Sequence, residues 1–349
     1  MAADVVLDVL LAPLRDGLLA MPLHGRVLFL QGRYTPALDE HAGRLVVEQT
    51  FKPYVDVLQQ HGWNQTASAD ERFDLVLVLP SRQRDHTRAL LVEAAARSSS
   101  AGTILVAAAN DEGARSLQAD AQALLGPLHV ASMSKCRVMW SLAADRVLDA
   151  SLAMRWQAAA APVEVPGSGL LSRAGVFSWD RIDTGSALLA AQLPSGLSGT
   201  GADLGAGWGY LSAQVLQHHA GVVAWDLYEA DARALELARI NLDAQRTRAA
   251  SQAVVGYHWH DVTTGVPRRY DFIVCNPPFH IGRAEAPGLG RRFIEVAAGA
   301  LNAGGRLWLV ANRHLAYEAQ LQADFASVRR VADTQGYKVF EAIARGKPQ

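Results

Sequence analysis

Cysteine is scarce in this chain of 349 residues: Cys136 and Cys275 are the only two, too few for a disulfide framework or a zinc site. No metal centre is expected. Neither sign of charge prevails, since 33 Lys and Arg face 34 Asp and Glu, for a formal net charge of −1. That balance argues against a general nucleic-acid coat protein but leaves room for a local basic patch on an enzyme. No apolar run reaches the ~18–20 residues that span a bilayer, so no membrane partner is expected. The start, Met1-Ala2-Ala3-Asp4, lacks the basic n-region of a secretory leader, and cytoplasm is the expected compartment. What the chain does have is apolar residues, 50% of the total. That is enough for two cores, and the length suits two domains.

The two halves echo each other. Arg72-Phe73-Asp74-Leu75-Val76-Leu77-Val78-Leu79-Pro80 resembles Arg269-Tyr270-Asp271-Phe272-Ile273-Val274-Cys275-Asn276-Pro277. Ala101-Gly102-Thr103-Ile104-Leu105-Val106 resembles Gly304-Gly305-Arg306-Leu307-Trp308-Leu309. Upstream, Val27-Leu28-Phe29-Leu30-Gln31-Gly32-Arg33 stands where Gly201-Ala202-Asp203-Leu204-Gly205-Ala206-Gly207 stands. Duplication of one α/β domain explains this order. The Ala, Pro, Gly and Ser-rich stretch from Ala158 to Gly169 reads as the linker, with a boundary near residue 165. In the second half strands alternate with helices, which implies a mostly parallel sheet covered on both faces. Ser327–Thr334 and Tyr337–Ile343, on either side of Gln335-Gly336, read as a closing β-hairpin.

The halves differ where chemistry would live. Asp203-Leu204-Gly205-Ala206-Gly207-Trp208-Gly209 is a glycine-rich turn between a strand and a helix. It lets the backbone approach a ligand and offers the free N–H groups of a helix start. Its G-x-G-x-G spacing is not the G-x-G-x-x-G of dinucleotide binders. S-adenosylmethionine (SAM), a dinucleotide and a tight structural turn all remain open on this loop alone. The first half has only Gly32 there, and Leu79 in place of Asn276, so it is not expected to bind SAM.

Glu229 follows the strand Val222–Tyr228, where an acid can accept hydrogen bonds from ribose hydroxyls; Asp226 is its rival. Asp261 is placed to take an adenine amino group, or to serve as an ordinary loop aspartate. Asn276-Pro277-Pro278-Phe279 ends an apolar strand. An amine on a base is a poor nucleophile, because its lone pair is delocalised into the ring. The Asn276 side-chain oxygen and the Pro277 carbonyl can accept its N–H bonds and expose the lone pair. The prolines stiffen the turn, and Phe279 can stack on the base. A Pro-Pro turn that merely ends a strand is the plain alternative. Cys275, inside that strand, reads as a buried thiol rather than a nucleophile.

Gly175-Val176-Phe177-Ser178, Asp183-Thr184-Gly185-Ser186 and Asn276-Pro277-Pro278-Phe279-His280 together resemble the bacterial ribosomal RNA guanine-N2 methyltransferases. These are class I SAM-dependent enzymes, and the chain is most similar to those modifying the small-subunit 16S RNA. The likeness covers nearly the whole chain, since that family also carries an inactive duplicated N-terminal domain. It departs after His280, at Ile281-Gly282-Arg283, where the family has a more acidic or polar stretch.

The resemblance implies an α/β fold of two tandem Rossmann-like domains. Residues 1–165 would be degenerate, without a SAM site. Residues 166–349 would be catalytic, with a seven-stranded mostly parallel sheet ending in an antiparallel hairpin. It implies that Asp203, Gly205, Gly207, Gly209, Glu229 and Asp261 contact SAM, and that Phe177, Asp183 and Gly185 line the cofactor side. Asn276, Pro277 and Phe279 would hold the guanine. The partner would be ribosomal RNA or the small ribosomal subunit, bound by a monomer. Relatives acting on 23S RNA share most of these motifs. Related Asn-Pro-Pro turns serve protein glutamine and DNA adenine methylation, usually with Tyr or Trp where Phe279 stands. A non-catalytic RNA-binding assembly factor is the reading from another class.

Overall fold

The computed structural model describes residues 4–249, 252–278, 280–281, 284–285 and 287–346. It divides into two units between Ala161 and Pro162, a few residues ahead of the expected boundary. The reason lies in the linker. Val163–Glu164 (β7) pairs antiparallel with Leu171–Ser172 (β8), and Val165 is buried in the core of the second unit.

The first unit holds strands β1 (Val27–Leu30), β2 (Leu45–Glu48), β3 (Phe73–Val78), β4 (Ser98–Ala109), β5 (His129–Met133) and β6 (Cys136–Ser141), in the sheet order β2-β1-β3-β4-β6-β5. Helices α1 (Val5–Arg15), α2 (Lys52–Gln60), α3 (Arg84–Arg97), α4 (Ala114–Leu125) and α5 (Ala150–Ala159) complete it.

In the second unit α6 (Thr184–Gln192) precedes β9 (Ser198–Leu204), α7 (Tyr210–His218), β10 (Gly221–Glu229), α8 (Ala232–Ala249), β11 (Val254–Trp259) and β12 (Tyr270–Cys275). A small pair, β13 (His280–Ile281) and β14 (Ala284–Glu285), follows. Then come α9 (Pro287–Ala300), β15 (Leu301–Asn312), α10 (Glu318–Asp324), β16 (Phe325–Thr334) and β17 (Tyr337–Ala344).

The large sheet of the second unit has seven strands in the order β11-β10-β9-β12-β15-β17-β16. The first five are parallel, and β17 runs antiparallel to both β15 and β16, which forms the expected closing hairpin. Successive residues of a strand face opposite sides, and here both sides are buried. Phe272, Val274, Trp308 and Val310 enter one core. Their neighbours Ile273, Cys275, Leu307 and Leu309 enter the other. That is why these strands read as unbroken apolar runs rather than alternating ones.

Candidate active site

The strand order reverses beside β9. The chain passes from β9 to β10 and β11 on one side, then returns to β12 on the other, opening a crevice beyond the carboxyl ends of the strands. Leu204 is in register with Cys275, so the residues after them, Gly205 and Asn276, leave the sheet side by side. Gly205, Gly207 and Gly209 have φ of 81°, 56° and 89°, values that glycine adopts without strain. The Gly205 and Ala206 N–H groups donate to the Tyr228 carbonyl at 2.9 and 3.1 Å, which holds the loop against β10.

Phe177, Asp183, Ser186, Gly205, Gly207 and Asn276 line one cleft, together with Trp208, Tyr210 and Leu211. Its free space is about 400 Å³ counted out to the open mouth, solvent included. Asn276 Nδ2 donates to Asp183 Oδ2 at 2.9 Å and to Ser186 Oγ at 2.8 Å. A carboxylate only accepts, so this contact assigns the two ends of the carboxamide. Oδ1 of Asn276 accepts no hydrogen bond among the described residues. Pro277 is buried and Pro278 exposed, and Phe279 lies outside the described residues. Phe177, 59% exposed, forms the rim, and its carbonyl accepts the Trp208 indole N–H at 3.1 Å.

The acids behind the loop divide by environment. Glu229 Oε2 accepts from Gly207 N and Oε1 from Asp231 N, both at 2.8 Å. Burial raises its pKa, while those backbone donors oppose the shift. Asp203 is fully buried, with Oδ2 accepting from Ser212 Oγ at 2.7 Å and Oδ1 unpartnered among the described residues. Burial pushes its carboxyl up to about 7; the Ser212 bond opposes this and the Glu229 charge adds to it. Asp226, the rival of Glu229, lies inside β10 and accepts from the Tyr270 hydroxyl at 2.8 Å. Burial would raise its pKa, but its bonds to His258 and Tyr270 and the charge of Arg268 hold it below the usual range. The Cys275 thiol donates to the Leu204 carbonyl. Burial raises its pKa well above the ordinary value, so it stays protonated and is no nucleophile.

Residues 168–341 match the family model described as methyltransferase small domain. The second unit belongs to that family. Ribosomal RNA small subunit methyltransferase C of Shewanella pealeana is 34% identical over 169 residues, 48% of this chain and 47% of that protein. The Yersinia enterocolitica protein of the same name is 34% identical over 174 residues, 50% of this chain and 48% of that one. The chain thus spans about half the length of the curated relatives it matches. A solved structure, T. thermophilus 16S rRNA N2 G1207 methyltransferase in complex with AdoMet and guanosine, aligns over 99% of this chain and 93% of its own. Its TM-score is 0.80 and its identity 25%.

Within the methyltransferase small domain, three of the expected residues make structural contacts of their own. A Cβ on Gly209 would stand 3.1 Å from Ala238, so this glycine serves the approach of α7 to α8. A Cβ on Gly185 would stand 2.9 Å from the Tyr337 ring, so it serves the seating of α6. Asp261 caps the short turn Val262–Thr264, its Oδ1 accepting from Thr263 N at 2.9 Å and Thr263 Oγ1 at 2.7 Å. Three lining residues had no role assigned from the sequence: Ser186, quoted only as part of a motif, and Tyr210 and Leu211 reach the cleft from the first turns of α6 and α7. For Ser186 the signal was there, since it stands three residues after a capping aspartate.

Proposed function

We propose that this chain transfers a methyl group from SAM to the exocyclic N2 of one guanine in 16S ribosomal RNA. One observation carries the reading. A carboxamide oxygen that accepts no hydrogen bond among the described residues shares a cleft with bare glycine backbone. The names of the relatives, and the AdoMet and guanosine held by the T. thermophilus enzyme, support it.

The residues present fit SAM. Each Glu229 oxygen accepts one backbone N–H and keeps a lone pair for a ribose hydroxyl. Gly205 and Gly207 leave room where a methionine tail would pass, and Trp208 and Leu211 supply apolar wall. Bound SAM supplies an electrophilic methyl on a sulfonium. The chain's part is positioning and electrostatics. Asn276 Oδ1 and the Pro277 carbonyl accept the two N–H bonds of the amine and turn its lone pair toward the methyl. An N–C bond forms as the S–C bond breaks, and one N2 proton passes to water. The base must be unpaired or turned out of its stack to enter. We read residues 1–161 as a non-catalytic partner in RNA holding, and the whole as a cytoplasmic monomer.

Incubation with labelled SAM and undermodified ribosomal RNA or small subunits, followed by nucleoside analysis, tests this. Label is expected in N2-methylguanosine of 16S RNA. Label in any other nucleoside, in 23S RNA alone or in protein would defeat the assignment.

A further inference from the structure

We propose that Asp183 and Ser186 are positioning residues of this site: they take both N–H bonds of the Asn276 carboxamide and thereby hold its oxygen toward the substrate amine. The inference rests on the methyl-transfer reading above, and it gives Asp183 a duty other than touching the cofactor.

A carboxamide is nearly symmetric in shape, but its two ends have opposite hydrogen-bonding character. Turned over, Asn276 would present an NH2 to the guanine NH2, donor against donor, and the acceptor would be lost. An asparagine without fixed neighbours has little reason to prefer one orientation. Here the choice is made from behind. The Ser186 hydroxyl can donate or accept, so alone it tolerates either orientation. Asp183 only accepts, and its Oδ2 lies 2.9 Å from Asn276 Nδ2. Asp183 is the discriminating partner.

Asp183 is itself held. The same Oδ2 accepts the Ser186 N–H at 2.7 Å as the N-cap of α6, where free N–H groups and the helix dipole favour a carboxylate. The helix is seated against the Tyr337 ring, which fills the space a side chain on Gly185 would need. Cap, helix and carboxamide are therefore positioned as one piece.

Three full-length variants test the proposal, by single-turnover methyl transfer from labelled SAM to undermodified 16S RNA, SAM affinity by calorimetry, and thermal midpoint. Asp183→Ser keeps an N-cap oxygen, but one bond closer to the backbone, out of reach of Asn276. Asp183→Asn keeps an oxygen where Ser186 N–H and Asn276 both require an acceptor. Ser186→Ala removes the indifferent partner, leaves the cap oxygen in place, and keeps the test open should Asp183→Ser lose its fold.

Asp183→Ser is expected to lose about 10- to 100-fold in single-turnover rate, the scale of a misplaced catalytic contact. Its SAM affinity should stay within about 3-fold of wild type, the pattern of an interaction used only in the transition state. Asp183→Asn should recover most of the rate, and Ser186→Ala should lose less than Asp183→Ser. An Asp183→Ser rate equal to wild type, a loss of SAM affinity that matches the loss of rate, or an Asp183→Asn variant as poor as Asp183→Ser would each overturn the proposal. A wild-type protein that forms no N2-methylguanosine would instead defeat the methyl-transfer reading itself.

Discussion

The first unit follows the plan of the second with one strand fewer. Its order β2-β1-β3-β4-β6-β5 matches β10-β9-β12-β15-β17-β16, and β11 is the strand added outside β10. The backbone bonds match as well. Gln31 N–H donates to the Glu48 carbonyl at 2.7 Å where Gly205 N–H donates to the Tyr228 carbonyl at 2.9 Å. The side chains at that edge do not match. Gln31 holds a left-handed φ of 53° at a cost of about 1 kcal/mol, and puts a side chain where Gly205 has none. Gln49 takes the place of Glu229. Its Oε1 accepts the Phe51 N–H, as Glu229 Oε1 accepts that of Asp231, but its amide donates to the Gly32 carbonyl where Glu229 accepts from Gly207. Buried Leu79 replaces Asn276, and buried Phe29 replaces Asp203. The fold tolerates these exchanges because loop position is set by main-chain bonds. A nucleoside site does not, because it depends on bare backbone and spare lone pairs.

Making the second unit resemble the first should break it in graded steps. Asn276→Ala comes first: methyl transfer should fall by about 100- to 1,000-fold, the scale of a lost transition-state hydrogen bond, with SAM affinity by calorimetry nearly unchanged. Gly205→Gln copies Gln31. The chain should still fold, at a cost of about 1–2 kcal/mol in urea unfolding, while SAM affinity drops on the order of 100-fold because the loop backbone is no longer bare.

Asp203→Asn addresses the acid that the first unit lacks. The folded-state pKa of about 7 exceeds the ordinary 3.8, so the folded chain binds the proton more tightly. The stability this lends at low pH is lost as pH rises from 3.8 to about 7. The variant escapes that loss. Its urea-unfolding free energy relative to wild type should improve by about 4 kcal/mol between pH 4 and pH 8, and a gap that stays constant with pH would refute the assignment.

Glu229→Gln copies Gln49. A carboxamide can satisfy only one of the Gly207 and Asp231 N–H groups, and SAM affinity should weaken about 10-fold, or about 1.4 kcal/mol. The smallest effect is expected in the other direction. Gln31→Gly relieves strain but adds backbone entropy, for a net change within about 0.5 kcal/mol. It should create no second site, because Gln49 and Leu79 remain, so calorimetry should still find one SAM per chain.

Much of this was legible in the chain. The seven strands announce themselves as short runs such as Phe272–Cys275 and Leu307–Val310 between glycines and prolines, and the hairpin by Gln335-Gly336. Gly205, Gly207 and Asn276 were singled out by residue type and position, Phe177 and Asp183 by the family resemblance, and all five line the cleft. Gly209 carries the same sequence signal as Gly205 and Gly207, because a glycine needed for helix packing looks like one needed for a ligand. Tyr210 and Leu211 give no local sign of what they face, because they are ordinary residues of a first helical turn, whereas Ser186 is marked by the capping aspartate three residues before it.

The alternation of strands and helices, the repeated plan and the location of the Asn-Pro-Pro turn were determined by the sequence itself, because apolar periodicity and chain-breaking residues act over a few neighbours. Which way the Asn276 carboxamide points was decided only in three dimensions. Its partners Asp183 and Ser186 arrive from 93 and 90 residues away, and hydrogen bonds are directional, so no local pattern could have specified the face it shows.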